Sequence, residues 1–132
     1  MVDFIHKVNP FINMKEYLTK MVESFRTATE FEQLTEYEKN NNSVICAAFR
    51  KFWERIIKSE YEKSLDKNDS DALNSCYLII NELASSEHPE GQRILYEEIF
   101  YNLVLEEVHV PIVYSRLNIN AKKIFDSVKT NQ

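Results

Sequence analysis

Glycine occurs once in this 132-residue chain, at Gly91, and proline three times. With so few residues that take φ > 0 without strain, tight hairpin turns and phosphate-cradling loops are hard to build, which argues against all-β architectures, Rossmann units and P-loops. Cysteine is also scarce. Cys46 and Cys76 each fall inside a helical apolar pattern and read as small buried hydrophobes in a reducing compartment rather than as a disulfide or metal framework. No stretch reaches the ~18 apolar residues of a membrane span. Met1–Pro10, which contains Asp3 and Lys7, has no apolar run of signal-peptide length. The expectation is a soluble cytoplasmic protein that binds no membrane. What is abundant is side-chain volume: 44% of residues are apolar and 12% aromatic, enough for one real core, so residues 1–132 are expected to form a single helical domain.

Hydrophobic periodicity divides the chain into helices. Asn13 and Glu16 have the spacing of a capping box, and Met14, Leu18, Met21, Val22 and Phe25 follow on one stripe. Thr27 and Thr29 predict a break before a second stretch carrying Phe31, Leu34 and Tyr37. The run Asn40–Asn42 is a polar connector, with Asn42 or Ser43 capping a helix over about 43–66. Its buried stripe is Ile45, Phe49, Phe52, Trp53, Ile56 and Tyr61. Asn68, Asp69 and Ser70 start a third helix over about 70–85, apolar on more than one side and therefore central. Pro89 suits the first turn of a fourth, about 89–107, with Ile94, Leu95, Ile99, Phe100, Leu103 and Val104 inward. A short helix opens at Pro111, and Asn118 or Asn120 starts the last, with Ile119, Ile124, Phe125 and Val128 inside. The fold class expected is all-α, one compact bundle of five to six helices whose centre is the antiparallel pair 70–85 and 89–107.

Sixteen Lys and Arg against twenty-one Asp and Glu give net charge -5. The deficit is local: residues 66–107 hold ten acids and two bases, Lys67 and Arg93, for a net of -8. That disfavours nucleic acid and favours a basic protein partner, with Glu82, Glu87, Glu90, Glu97, Glu98, Glu106 and Glu107 as the candidate contact residues. Acids scattered round a bundle for solubility are the ordinary alternative. Lys51, Arg55 and Lys58 recur at helical spacing and suit a phosphate or acidic partner, although Glu54, Glu60 and Glu62 interleave with them as on any solvated face. Glu106 and His109 have the Glu-x-x-His spacing of di-iron bundles. Neither His6 nor His88 has a glutamate three residues before it, so no metal and no cofactor is expected. Cys46 sits among Ile45, Ala47 and Ala48, surroundings that raise a thiol pKa and spoil a nucleophile. Gly-x-Ser-x-Gly and His-Glu-x-x-His are absent from the sequence, and an enzyme is not expected.

Three segments, CAAFRKFWERII at 46–57, NSCYLIINELASSEHPEGQRILYEEIFYNLVLEE at 74–107 and VYSRLNINAKKIFDSV at 113–128, resemble a family of small all-helical bacterial domains found among candidate immunity proteins of toxin systems. The resemblance covers about two thirds of the chain; Asn118 stands where such domains commonly have glycine before the last helix. It implies a non-enzymatic inhibitor whose partner is a cognate toxin domain, a nuclease being the natural case, occluded by acids that mimic phosphate charge. A phage-type inhibitor of a defence nuclease would use the same physics. The different-class alternative is a helical regulatory or nucleic-acid-binding adaptor working through the basic face of the second helix.

Overall fold

Five side chains whose oxygen or nitrogen accepts from a backbone N–H set most of the helix starts in the computed structural model, which describes residues 14–86 and 88–131. Thr35 and Glu38 form a reciprocal capping box, and Asn41, Asp66 and Asn118 accept from Val44, Asp69 and Ala121. His88 accepts from Glu90 through Nδ1, with Pro89 in the first turn. Two caps thus lie earlier than the sequence suggests: Asn41 in place of Asn42 or Ser43, one or two residues on, and Asp66 in place of the 68–70 cluster, two to four residues on. The expected box at Asn13 lies outside the described residues.

The helices are α1 Met14–Phe25, α2 Thr29–Glu32, α3 Glu36–Lys39, α4 Asn42–Tyr61, α5 Lys67–Ser85, α6 Pro89–Arg93, a π-helical run Ile94–Phe100, α7 Tyr101–Leu105, α8 Val110–Ser115 and α9 Ile119–Thr130. No strand occurs among the described residues, so the chain is all-α. It is more finely divided than the five or six helices expected. The break after Phe25 falls where Thr27 and Thr29 place it, whereas α4 stops at Tyr61 instead of continuing to 66.

The π run explains why 89–107 is not one regular helix. Its buried residues are Ile94, Leu95, Ile99 and Phe100, two doublets five apart. An α-helix advancing ~100° per residue would spread them over roughly 240° of its circumference. Winding with i→i+5 bonds brings the second doublet back over the first, so all four enter the core while Glu97 and Glu98 stay out of it.

α5 packs on α1, α4 and α9, and the π run packs on α4 and α9. The contact expected at the centre, between α5 and the stretch after it, is concentrated near the turn, at α6 and the π run, from which α7 diverges towards α9. Gly91 is buried in α6, where the chain turns back close to α5. One aromatic row, Phe31, Phe25, Phe49 and Phe52, joins α1, α2 and α4; a second, Tyr77, Trp53, Phe100 and Phe125, joins α5, α4, the π run and α9. Trp53 is fully buried, with the Tyr77 ring edge-on at 5.5 Å. Three residues expected inside, Tyr37, Tyr61 and Ile119, are instead exposed. Each lies at the very end of its helix or in a one-turn helix, where the stripe has no neighbour left to face.

The left-handed positions that a glycine-poor chain was expected to avoid are present and filled by other residues: Lys63, Glu107 and His109 have φ of 58°, 55° and 41°. Two of them close helices. Ser64 N–H reaches back to Ser59 C=O at 2.9 Å and Lys63 N–H to Glu60 C=O, and the pattern repeats from Val108 to Leu103 and from Glu107 to Val104. Both are Schellman closures with a side chain where glycine usually sits. The bonds they secure for α4 and α7 outweigh a left-handed cost of roughly 1–2 kcal/mol per residue.

Candidate functional site

The acidic set divides by what each carboxylate touches. Glu82 on α5 meets Lys20 of α1 at 3.1 Å. Glu90 and Glu97 both bond Arg93, the latter at 2.9 Å, so one guanidinium offsets two charges one turn before and after it. Glu106 approaches Arg50 Nη1 at 3.7 Å, and the same nitrogen donates to Glu54 at 2.9 Å. Arg50 is the sole charged residue buried among the described ones, at 8% exposure. Burial raises the Glu54 carboxyl pKa, against the pull of Arg50.

Glu98 and Glu107 make no ion pair among the described residues. Glu98 is half-buried beside Cys46, and Glu107 is exposed at the α7 closure. Glu87 lies outside the described residues. Of the seven acids singled out from sequence, six are therefore described. Five of these, Glu90, Glu97, Glu98, Glu106 and Glu107, belong to the continuous run from α6 to the turn after α7, while Glu82 stands apart on α5. Arg93 is the one cation in this run, and no Lys or Arg follows it before Arg116.

The basic face is less coherent than its spacing suggests. Arg55 is clasped by Glu30 of α2 through two hydrogen bonds, at 2.7 and 3.2 Å, and its charge is spent there. Lys51 and Lys58 are exposed and unpaired among the described residues. Arg50 points the other way, into the Glu54–Glu106 pair.

Glu106 and His109 are not brought together as ligands: Glu106 faces Arg50, whereas the His109 ring stacks on Tyr61 at 4.3 Å. No group of three metal-ligating side chains gathers among the described residues. Cys46 and Cys76 are both buried and unbonded to each other. Burial, with Glu98 nearby, pushes the Cys46 thiol up to about 12, and burial alone raises Cys76 further. A cleft of about 580 Å³ runs between α1 and the α3–α4 corner. Its polar lining is Lys15, Thr19, Glu23, Arg26, Lys39, Asn40 and Asn42, with no nucleophile–base pair.

One hub was not foreseen from sequence. Arg116 donates to Glu60 at 2.8 Å and to Asn74 at 2.6 Å, with its guanidinium 4.3 Å from the Tyr77 ring centre. Asn81 bonds both Arg116 C=O and Asn118 N–H, pinning the α8–α9 turn to α5. Asn118 was legible as a cap, but its second duty, donating to Asn81 C=O and Ser85, arises from residues more than thirty positions away. No helix among the described residues is long and apolar enough to cross a membrane. Comparison of the chain with family models, curated proteins and solved structures gives no match.

Proposed function

We propose that the protein is a non-enzymatic inhibitor of the immunity type, acting in the cytoplasm, that captures a basic protein partner through the acidic run from α6 to the turn after α7. The observation carrying this reading is the absence of Lys and Arg between Arg93 and Arg116, where Glu97, Glu98, Glu106 and Glu107 all lie outside the core. Fields from such a run steer a cationic partner and resist anionic ones. A toxin domain with a basic substrate groove, such as a nuclease, is the partner this chemistry suits. The antiparallel pair expected to display the acids is not needed for it, because the π run and α7 display them on one continuous stretch.

The adaptor reading through Lys51, Arg55 and Lys58 is the weaker one, since Glu30 already occupies Arg55. The discriminating measurement is capture of the product of the neighbouring gene as salt is raised. At 0.15 M the Debye length is about 8 Å, so association through exposed acids slows with added salt. Glu98→Lys with Glu107→Lys should weaken capture by about tenfold or more while helix content is retained. Lys51→Glu with Lys58→Glu should leave it unchanged, and the opposite ranking would discard the acidic reading.

A further inference from the structure

A second cleft, of about 430 Å³, opens where the turn after α7 meets the last turn of α9, lined by Val104, Glu107, His109, Val110, Pro111 and Lys129. That volume is in the range of small-molecule sites. Its walls are aliphatic, with Val104 and Val110 half-buried against the core, and the packing of α9 on α7 brings its two sides together. Glu107 and Lys129 carry opposite charges into one cleft, yet among the described residues they pair neither with each other nor with a third ion. Lys129 Nζ stands 5.7 Å from the Tyr114 ring centre. The neighbouring charges are engaged elsewhere: Glu106 faces Arg50, Asp126 accepts from Tyr114 Oη at 3.1 Å, and Lys122 lies over the Tyr114 ring at 5.1 Å. Lys123 lies ~120° round α9 from Lys129.

Two of the six lining residues are left-handed. Glu107, at φ 55°, serves the α7 closure, but His109, at φ 41°, closes no helix, and its side chain does not cap the Val110–Ser115 helix that follows. Tyr61 stacks on its ring at 4.3 Å. Conformations held at such a cost collect at ligand clamps.

We infer that this cleft binds a small zwitterion with an apolar body, of the aliphatic dipeptide class. The ligand's ammonium group donates to the Glu107 carboxylate, its carboxylate accepts from Lys129 Nζ, and its side chains cover Val104, Val110 and Pro111. The inference is independent of the acidic-surface reading. A simple anion suits Lys129 but meets Glu107, and a simple cation suits Glu107 but meets Lys129; a ligand with both charges satisfies each side. In a free amino acid both charges sit on one Cα. A dipeptide sets them on neighbouring Cα atoms, ~3.8 Å apart, which suits two side chains that do not reach each other.

The test titrates the full chain with leucyl-leucine, its N-acetyl form, its C-terminal amide and seryl-serine, followed by amide shift changes. Leucyl-leucine is expected to bind with shifts centred on Val104, Glu107, His109 and Val110, and each of the other three about tenfold or more weaker. Glu107→Gln should weaken leucyl-leucine to the level of the N-acetyl form without changing the affinity of that form. Lys129→Gln should do the same with respect to the amide. Lys123→Gln should change nothing, and circular dichroism confirms that the variants are folded. The blocked peptides test the unsubstituted chain, so the outcome does not depend on the variants.

The inference is overturned if leucyl-leucine gives no saturable shifts, or if both blocked forms bind as tightly as the free dipeptide. Undiminished binding of the N-acetyl form with loss of the amide would make this a simple anion site at Lys129, and the zwitterion would fall. The free dipeptide has no net charge, so its binding is measured apart from any steering by the acidic run.

Discussion

Deleting Glu97 should leave the protein folded, whereas deleting Lys51, an equally exposed charged residue in mid-helix, should unfold it. In the π run the buried doublets Ile94–Leu95 and Ile99–Phe100 stand five apart. Removing Glu97 brings them to four apart. At ~100° per residue, Ile94, Leu95, Ile99, Phe100 and Leu103 then fall near 0°, 100°, 40°, 140° and 80°, an arc that an ordinary α-helix buries on one side. All five core side chains are kept. The losses are the exposed Arg93–Glu97 ion pair, about 0–1 kcal/mol, and some 1.5 Å of helix length absorbed by the turn after Leu105. The expected cost is at most about 2 kcal/mol, a fall in Tm of roughly 10 °C or less.

Deleting Lys51 instead turns Phe52, Trp53, Ile56 and Ile57, all buried, by ~100° relative to Ile45, Cys46 and Phe49. Each misplaced side chain costs roughly 2–5 kcal/mol, and four of them exceed or consume the ~5–15 kcal/mol that holds a domain of this kind together. Thermal unfolding followed by circular dichroism compares the two directly. If the Glu97 deletion melts as early as the Lys51 deletion, the π winding does not accommodate an extra residue and the phase argument is wrong.

Trp53→Ala should cost roughly 3–5 kcal/mol in denaturant melts, because the indole is fully buried against Tyr77 and Phe100; an unchanged midpoint would contradict its place in the core. Lys63→Gly should stabilise by about 1 kcal/mol, since Lys63 holds a left-handed φ of 58° in the α4 closure; a loss of stability would mean that its side chain earns more than its strain. Cys46, with its pKa pushed up to about 12, and Cys76, raised further, should resist a thiol reagent at pH 8 until the chain is unfolded, and rapid native labelling of either would refute their burial. Burial raises the Glu30 pKa, but the hydrogen bonds from Arg55 outweigh it and hold the folded carboxyl below its usual range. Its contribution is therefore present above the unfolded pKa and lost as pH falls through the folded one, so Arg55→Ala should cost up to about 1 kcal/mol at pH 7 and almost nothing in acid.

The scarcity of glycine and the 3.6-residue stripes were enough to establish an all-helical chain. Periodicity also identified most of the core, because Phe49, Trp53, Ile56 and Phe125 lie on faces too apolar to leave in water. The break at Thr27 to Thr29, the cap at Asn118 and the helix start at Pro89 were legible for a local reason: each depends on one or two side chains and the backbone within a few residues of them. Tertiary structure decided the rest. The doublets five apart were visible as letters, but α and π winding differ in whether a neighbouring surface can receive them, and α4 and α9 supply that surface. Charge was legible as a count, yet which acids remain unpaired depends on cations distant in sequence. Lys20 takes Glu82 and Arg50 reaches Glu106, pairings across helices that no local pattern encodes. Tyr61 shows the same limit, since it continues a buried stripe in sequence and stands in solvent because α4 has outrun its neighbours, leaving only His109 to stack against it.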